Sequence, residues 1–286
     1  MATSKKKSAR PVIGFVGQGY IGKNYADNFE ARGFRVERYS KEEPYIRNAS
    51  LIRACDIVFI AVPTPTTPRG FDSSIVAEAL THIGPGKIAV IKSTVLPGTS
   101  RQLQKKFPRI TILHSPEFLS KASARFDVDH PARNIIGVTT TGRAHQESAK
   151  RVMKVLPRAP FEIICGSNES EFIKYASNCF YYAKVVFINS LFDTGKKLKL
   201  DWGAVETSMA NDPMIGKTHT QVVHKSGRGA GGICLIKDFA AFSRFVGTKS
   251  VPGGVIKLLK AIEAQNIKLL KDSHKDAKAL SEVYGV

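Results

Sequence analysis

Val12-Ile13-Gly14-Phe15-Val16-Gly17-Gln18-Gly19-Tyr20-Ile21-Gly22 is the stretch that decides the fold. A run of β-branched and aromatic residues passes directly into G-x-G-x-x-G, which reads as a strand, a tight turn and the start of a helix. Gly17 permits the turn, Gly19 lets backbone approach a pyrophosphate, and Gly22 lets the helix pack closely on the strand. Tyr20 and Ile21 occupy the open positions of the motif. The helix start offers N–H groups and a partial positive charge to a phosphate. These eleven residues predict a dinucleotide-binding unit.

The alternation continues outward. Runs at 34–39, 57–62, 88–91, 111–113, 135–138 and 161–164 read as strands, and stretches at 19–32, 74–82, 100–107 and 143–155 as amphipathic helices. This predicts an α/β fold over 11–167: a doubly wound, Rossmann-like parallel sheet whose strands are buried on both faces. From Ser167 onward a capped helical pattern runs to about Lys197. It is apolar nearly all round, which predicts central burial, with Phe172–Leu191 packed on a second copy in a homodimer or higher homo-oligomer. Helical segments at 202–209, 235–245 and 255–273 follow, interrupted by a glycine-rich loop at 226–232. The expected division is a basic tail at 1–10, a dinucleotide domain at 11–167, and an all-helical domain with a long central helix at 168–286.

The chain has 286 residues, of which 43% are hydrophobic, enough to build packed cores and to exclude global disorder. Its 43 Lys and Arg against 24 Asp and Glu give a net charge of +19. Such a field attracts nucleotides, phosphates or nucleic acid, and a merely solvated basic surface is the plainer alternative. Cys55, Cys165, Cys179 and Cys234 show no C-x-x-C or zinc spacing, so a reducing, cytoplasmic setting without a metal is expected. No apolar run reaches the roughly 20 residues of a membrane helix.

Several motifs sit at expected strand ends, the edge where open α/β sheets bind ligands. They are Val62-Pro63-Thr64-Pro65, Lys92-Ser93-Thr94-Val95-Leu96-Pro97-Gly98-Thr99 and Ser115-Pro116-Glu117-Phe118-Leu119. Ser40 stands where an acid would bind the ribose hydroxyls. Arg38 and Lys41 nearby would suit a ribose phosphate, which leaves NAD or NADP open. Lys174 and Asn178, four apart on the long helix, share a face and suit the stabilisation of an alkoxide or oxyanion. In Gly229-Ala230-Gly231-Gly232-Ile233-Cys234-Leu235-Ile236-Lys237-Asp238, Cys234 opens a helix after glycines, where the dipole favours a thiolate. A thiolate there can add to an aldehyde and carry it to a thioester. A packing thiol, a solvated helix face and a capping carboxylate are the plainer alternatives. Cys55, Cys165 and Cys179 read as packing residues.

Taken in order, these motifs resemble the nucleotide-sugar 6-dehydrogenases, the family of UDP-glucose and GDP-mannose dehydrogenases, from Val12 to about Lys271. The resemblance implies a two-step oxidation of a sugar primary alcohol to a carboxylate with two NAD molecules. It implies that Cys234 is the nucleophile and that Lys174 and Asn178 hold the reacting end of the sugar. Asp238 would then work with ordered water, Glu117 would activate water, and Thr94 would position it. The cofactor would lie against Gly17, Gly19, Tyr20, Ile21, Gly22, Ser40, Pro63, Thr64, Ser93 and Thr94. The sugar nucleotide would lie against Glu117, Phe118, Leu119, Lys174, Asn178, Gly229 and Gly231. Departures are Ser40, Lys121 in place of an acid, Met214 in place of an arginine that reaches the neighbouring subunit, and Ala230 and Ile233 before the cysteine. Family members also continue into a further nucleotide-covering domain. The expectation is a shortened, NAD-dependent UDP-hexose dehydrogenase acting on UDP-glucose. The alternatives are a two-electron hydroxyacid dehydrogenase and a catalytically impaired basic scaffold that binds nucleic acid or an assembly.

Overall fold

The computed structural model describes residues 10–286. The basic tail, apart from Arg10, lies outside the described residues. In chain order the first elements are β1 (Ile13–Val16), α1 (Tyr20–Ala31), β2 (Val36–Tyr39), α2 (Ala49–Ala54), β3 (Ile57–Ile60), β4 (Thr66–Thr67), β5 (Gly70–Phe71), α3 (Ser74–Thr81) and β6 (Ile88–Ile91). Then come α4 (Thr99–Lys106), β7 (Thr111–His114), α5 (Ala124–Asp129), β8 (Arg133–Val138), α6 (Arg143–Val155) and β9 (Phe161–Gly166). The last are α7 (Ser167–Lys197), α8 (Trp202–Asn211), β10 (Val223–His224), β11 (Gly227–Arg228), α9 (Ile233–Gly247), α10 (Gly253–Asp272) and α11 (Ala277–Tyr284).

Internal contacts divide the chain into two units: one reaches to Thr64 and resumes over Ser73–Lys174, the other holds Pro65–Asp72 and Tyr175–Val286. The first is built on a seven-stranded sheet in the order β2-β1-β3-β6-β7-β8-β9. The order reverses at β1, whose parallel neighbours are β2 and β3. That reversal is the switch point at which a doubly wound sheet opens a crevice for ligand. The central strands are fully buried because β1, β3 and β6 are unbroken apolar runs. Phe15 and Phe59 stack at 5.1 Å between ring centres, and Phe29 of α1 closes on both.

Two expectations are corrected at the far edge. β8 pairs antiparallel with β7, although β8 and β9 are parallel to each other. The segment joining β7 to β8 carries only the six-residue α5, so it turns back without a full crossover helix. β9 is an edge strand, and Phe161 and Ile163 on it are exposed rather than buried on both faces.

The second unit is helical, with two small hairpins, β4–β5 and β10–β11. Tyr182 of α7 stacks on Phe239 of α9 at 4.0 Å, within a cluster that includes Cys179, Val185, Val186 and Ala230. A second cluster joins Ile236 and Ala240 of α9 to Leu270 of α10 and to Leu280 and Val283 of α11. α7 has 31 residues and extends roughly 46 Å at 1.5 Å per residue. It is not buried all round: Phe172, Phe180 and Phe187 are exposed, spaced close to two turns apart on one side. Cys55 and Cys179 are buried, while Cys165 is half-buried.

The second turn of α7 also closes α4. Gly98, the residue before α4, offers no side-chain cap, and buried Glu171 takes that role by accepting from Gly98 N at 2.6 Å and Ser100 N at 2.8 Å. Glu171→Ala leaves two amides without an acceptor and is expected to cost about 1–3 kcal/mol. Glu171→Gln keeps an acceptor and should cost less. Urea unfolding of both variants checks the ranking, and equal losses would contradict the capping role.

Candidate active site

The glycine turn after β1 fits a dinucleotide. Gly17 has φ of +93°, and a Cβ there would stand 2.3 Å from Ala61 O, so only glycine makes this turn. A Cβ at position 22 would stand 1.9 Å from Gly17 O, which fixes how closely α1 approaches the strand. At Gly19 a Cβ would meet nothing within 4 Å, so the turn is open where a pyrophosphate would lie. No side chain caps α1 and no acid lies in its first turn, which keeps the helix start suited to an anion. Tyr20 and Ile21 stand in that first turn, with the Tyr20 hydroxyl donating to Ser120 O.

β3 pairs with the turn's own strand, and β6 pairs with β3. The Ser93 hydroxyl donates to Val62 O at 2.7 Å and accepts from Val62 N at 3.0 Å. Ser93 thus ties the two strand ends together, and β3 ends at Ile60, two residues sooner than the apolar run suggests. Pro63 is exposed, Thr64 is buried and Thr94 is half-buried.

The polar side chains at and after the end of β2 are paired within the protein. Arg38 donates to Asp27 at 2.7 Å, to Glu30 at 2.7 and 3.1 Å, and to Gln18 at 3.3 Å. Lys41 pairs with Glu78 at 2.8 Å, and the Ser40 hydroxyl donates to Glu42 O. Arg38 and Lys41, which the sequence marked as suited to a ribose phosphate, are thus both paired with carboxylates.

After β7, buried Lys174 donates to Glu117 O at 2.7 Å and to Glu117 Oε1 at 2.9 Å. Glu117 Oε2 accepts from Leu119 N at 2.7 Å, and the Phe118 ring lies 5.4 Å from the ammonium. The sequence pointed to Lys174 and to the Glu117-Phe118-Leu119 motif separately, and the ammonium joins them through Glu117 and Phe118. Beneath them lies Lys92, which sequence reading quoted within a motif but gave no role. Its ammonium donates to Ser115 O at 3.0 Å and Ser115 Oγ at 3.2 Å, and sits 4.4 Å from the centre of the Tyr25 ring. The signal was a lysine placed directly after a fully apolar strand, where no solvent is available. Lys121 is exposed.

In the helical unit, Cys234 is the second residue of α9 and is exposed. The preceding residue but one, Gly232, has φ of +83°, a turn that starts the helix. One turn on, Asp238 is buried, accepting from Asn178 at 2.6 Å and from Lys237 at 2.5 Å. Gly229 and Gly231 sit tightly in the loop: a Cβ on either would lie under 3.0 Å from a neighbouring side chain. Ala230 is buried, Ile233 is exposed, and Met214 is almost wholly exposed.

A glycine turn at the switch point of a doubly wound sheet is the arrangement of a dinucleotide-binding unit. Comparison with known proteins makes this specific. The NAD binding domain of the UDP-glucose/GDP-mannose dehydrogenase family matches residues 45–156, and that family's central domain matches residues 168–268. The chain belongs to this family. A UDP-glucose 6-dehydrogenase of Bacillus subtilis is 32% identical over 234 residues, 77% of this chain and 48% of that protein. One from Rickettsia conorii is 27% identical over 278 residues, 87% of this chain and 62% of that protein. The chain thus spans about half the length of the curated relatives it matches. The solved UDP-glucose dehydrogenase of Pyrobaculum islandicum superposes with a TM-score of 0.77 at 27% identity, covering 91% of this chain and 69% of that one. NAD, the cofactor favoured by the sequence, is the one the matched domain binds in this family.

Lys92 supplies a test of the buried site. Burial pushes its ammonium down to about 7, against the pull of nearby Glu117. The unfolded chain, with an ordinary lysine, then holds more protons between about pH 7 and 10.5, so stability should rise with pH across that window. Wild type should therefore gain stability relative to Lys92→Met between pH 7 and pH 10 in urea unfolding. A difference that stays constant with pH would contradict this.

Proposed function

We propose that the chain is an NAD-dependent nucleotide-sugar dehydrogenase that oxidises the C6 alcohol of a UDP-hexose, UDP-glucose foremost, to the uronate. The observation that carries this reading is the exposed Cys234 thiol on the first turn of α9, one helical turn before a buried Asp238 bonded to Asn178. A two-electron hydroxyacid dehydrogenase has no task for such a thiol. The pairing of Arg38 and Lys41 with carboxylates supports NAD over its 2′-phosphorylated form.

NAD, when bound, supplies the hydride acceptor for both oxidations. Gly17, Gly19, Tyr20, Ile21 and Gly22 would hold its pyrophosphate, with Ser40, Pro63, Thr64, Ser93 and Thr94 along the same strand edge. Lys174 stabilises the alkoxide of the sugar alcohol, and Asn178 supplies a neutral donor one turn along the same face. The Cys234 thiolate adds to the aldehyde carbon, and the same donors stabilise the resulting oxyanion. Once the thiohemiacetal is oxidised to a thioester, Glu117 accepts a proton from water as it attacks, and the thiolate leaves. Asp238 keeps Asn178 oriented, and Thr94 positions the water. Phe118, Leu119, Gly229 and Gly231 complete the substrate contacts.

The exposed Phe180 and Phe187 on α7 support self-association through this helix. Phe180→Glu with Phe187→Glu should then lower the mass measured by light scattering to that of one chain.

Incubation with UDP-glucose and NAD should give two NADH per sugar, and Cys234→Ser should abolish uronate formation. One NADH per substrate with a dispensable Cys234 would contradict the reading. No NADH with any nucleotide sugar, together with salt-sensitive nucleic-acid binding, would favour the basic-scaffold alternative.

A further inference from the structure

The loop from Gly227 to Gly232, which leads into Cys234, is held by side chains that lie on or beyond the last turns of α10. Asn266 Oδ1 accepts from Ala230 N at 2.7 Å, and its Nδ2 donates to Ala230 O at 3.0 Å. Ser273 Oγ accepts from Arg228 N at 3.1 Å. Buried Lys275 donates to Gly227 O at 3.1 Å and Gly229 O at 3.0 Å. Asp276 Oδ2 accepts from Gly232 N at 2.7 Å. Gly232 is the residue that starts α9, two before the cysteine.

Several features show that Lys275 and Asp276 are fitted to this loop. A Cβ on Gly231 would stand 2.2 Å from Asp276 Oδ2 and 2.5 Å from Lys275 Cε, so both side chains lie directly on its backbone. Their charges match the groups they meet: an ammonium on two carbonyls, a carboxylate on an amide. His274 and Asp276 have φ of +50° and +55°, a left-handed backbone that non-glycine residues adopt at a cost. That tight bend brings two adjacent side chains onto one loop. Burial lowers the Lys275 pKa, with Asp276 pulling the other way and Lys225 adding to the fall. Residues 273–276 lie beyond the part of the chain matched by the family's central domain.

We propose that Lys275 and Asp276 are positioning residues for the Cys234 thiol. They hold the carbonyls and the final amide of the loop so that α9 begins at Ile233 and Cys234 is presented on its first turn. The proposal rests on the reading that Cys234 is the working thiol, but its test needs neither substrate nor cofactor.

Iodoacetamide alkylation of the full chain, followed peptide by peptide by mass spectrometry at one pH, gives a rate for Cys234, with half-buried Cys165 as internal reference. Asp276→Ala and Lys275→Met should each change the Cys234 rate by about fivefold, the scale of one lost hydrogen bond, and leave Cys165 unaffected. Asp276→Asn keeps an acceptor for Gly232 N and should stay near wild type, which a purely electrostatic effect would not allow. Hydrogen exchange of the peptide spanning Gly232 should speed up in Asp276→Ala and not in Asp276→Asn. Should the alanine or methionine variant fail to fold, Gly231→Ala displaces the same two side chains from the loop side and should give the same local change. Unchanged Cys234 alkylation and unchanged exchange in the folded variants, or equal changes at Cys165, would overturn the proposal. Loss of sugar oxidation in a chain that still shows the alkylation pattern would instead count against the catalytic reading alone.

Discussion

An unbroken helix sets the terms for the rest of the molecule. α7 runs from Ser167 to Lys197, so Lys174 and Asn178 stand one turn apart, about 6 Å along the axis. Each is buried and each meets a carboxylate from another element: Glu117 after β7 for the lysine, Asp238 in α9 for the amide. Removing such groups from water costs several kcal/mol per ion, and well-packed apolar residues would generally serve stability at least as well. A chain that keeps them gains little in folding. In the proposed chemistry, a preorganised cation and amide act where charge develops.

Both ends of the proposed chemistry use the same electrostatic device. α1 begins after Gly19 and α9 after Gly232, and neither start is capped by its own side chain. A helix start without its own side-chain cap keeps its first N–H groups available to an anionic partner. Glycine is needed at each for a different reason. Gly17 and Gly22 clear backbone that would otherwise collide, whereas Gly232 takes a positive φ to launch α9.

Much of this was legible in the sequence because strand ends and glycine turns are local. The turn at 17–22, the motifs after β3, β6 and β7, and the helix start at Cys234 each follow from a few adjacent residues. The direction of β8 was not legible, since a short connecting segment and a long one give similar apolar runs at 135–138. Nor was the state of Arg38: its partners Asp27 and Glu30 are ordinary surface acids on α1 until β2 lies beside them. Glu171, Lys92, Lys275 and Asp276 share that character. Each is a charged residue whose role comes from backbone groups far away in the chain, and no local pattern marks it. The apolar periodicity of α7 does not separate the face packed within one chain from the face that carries Phe180 and Phe187, which are exposed on it.

The most direct test is to look for the covalent intermediate. Glu117→Gln, mixed with UDP-glucose and NAD and quenched in acid, should carry a thioester-linked sugar nucleotide on the peptide that contains Cys234, because hydrolysis lacks its base. The account predicts one adduct per chain, released by hydroxylamine and absent when Cys234 is replaced by serine. An adduct on another residue, or sugar oxidation to the uronate with no adduct and an intact rate in the serine variant, would contradict it.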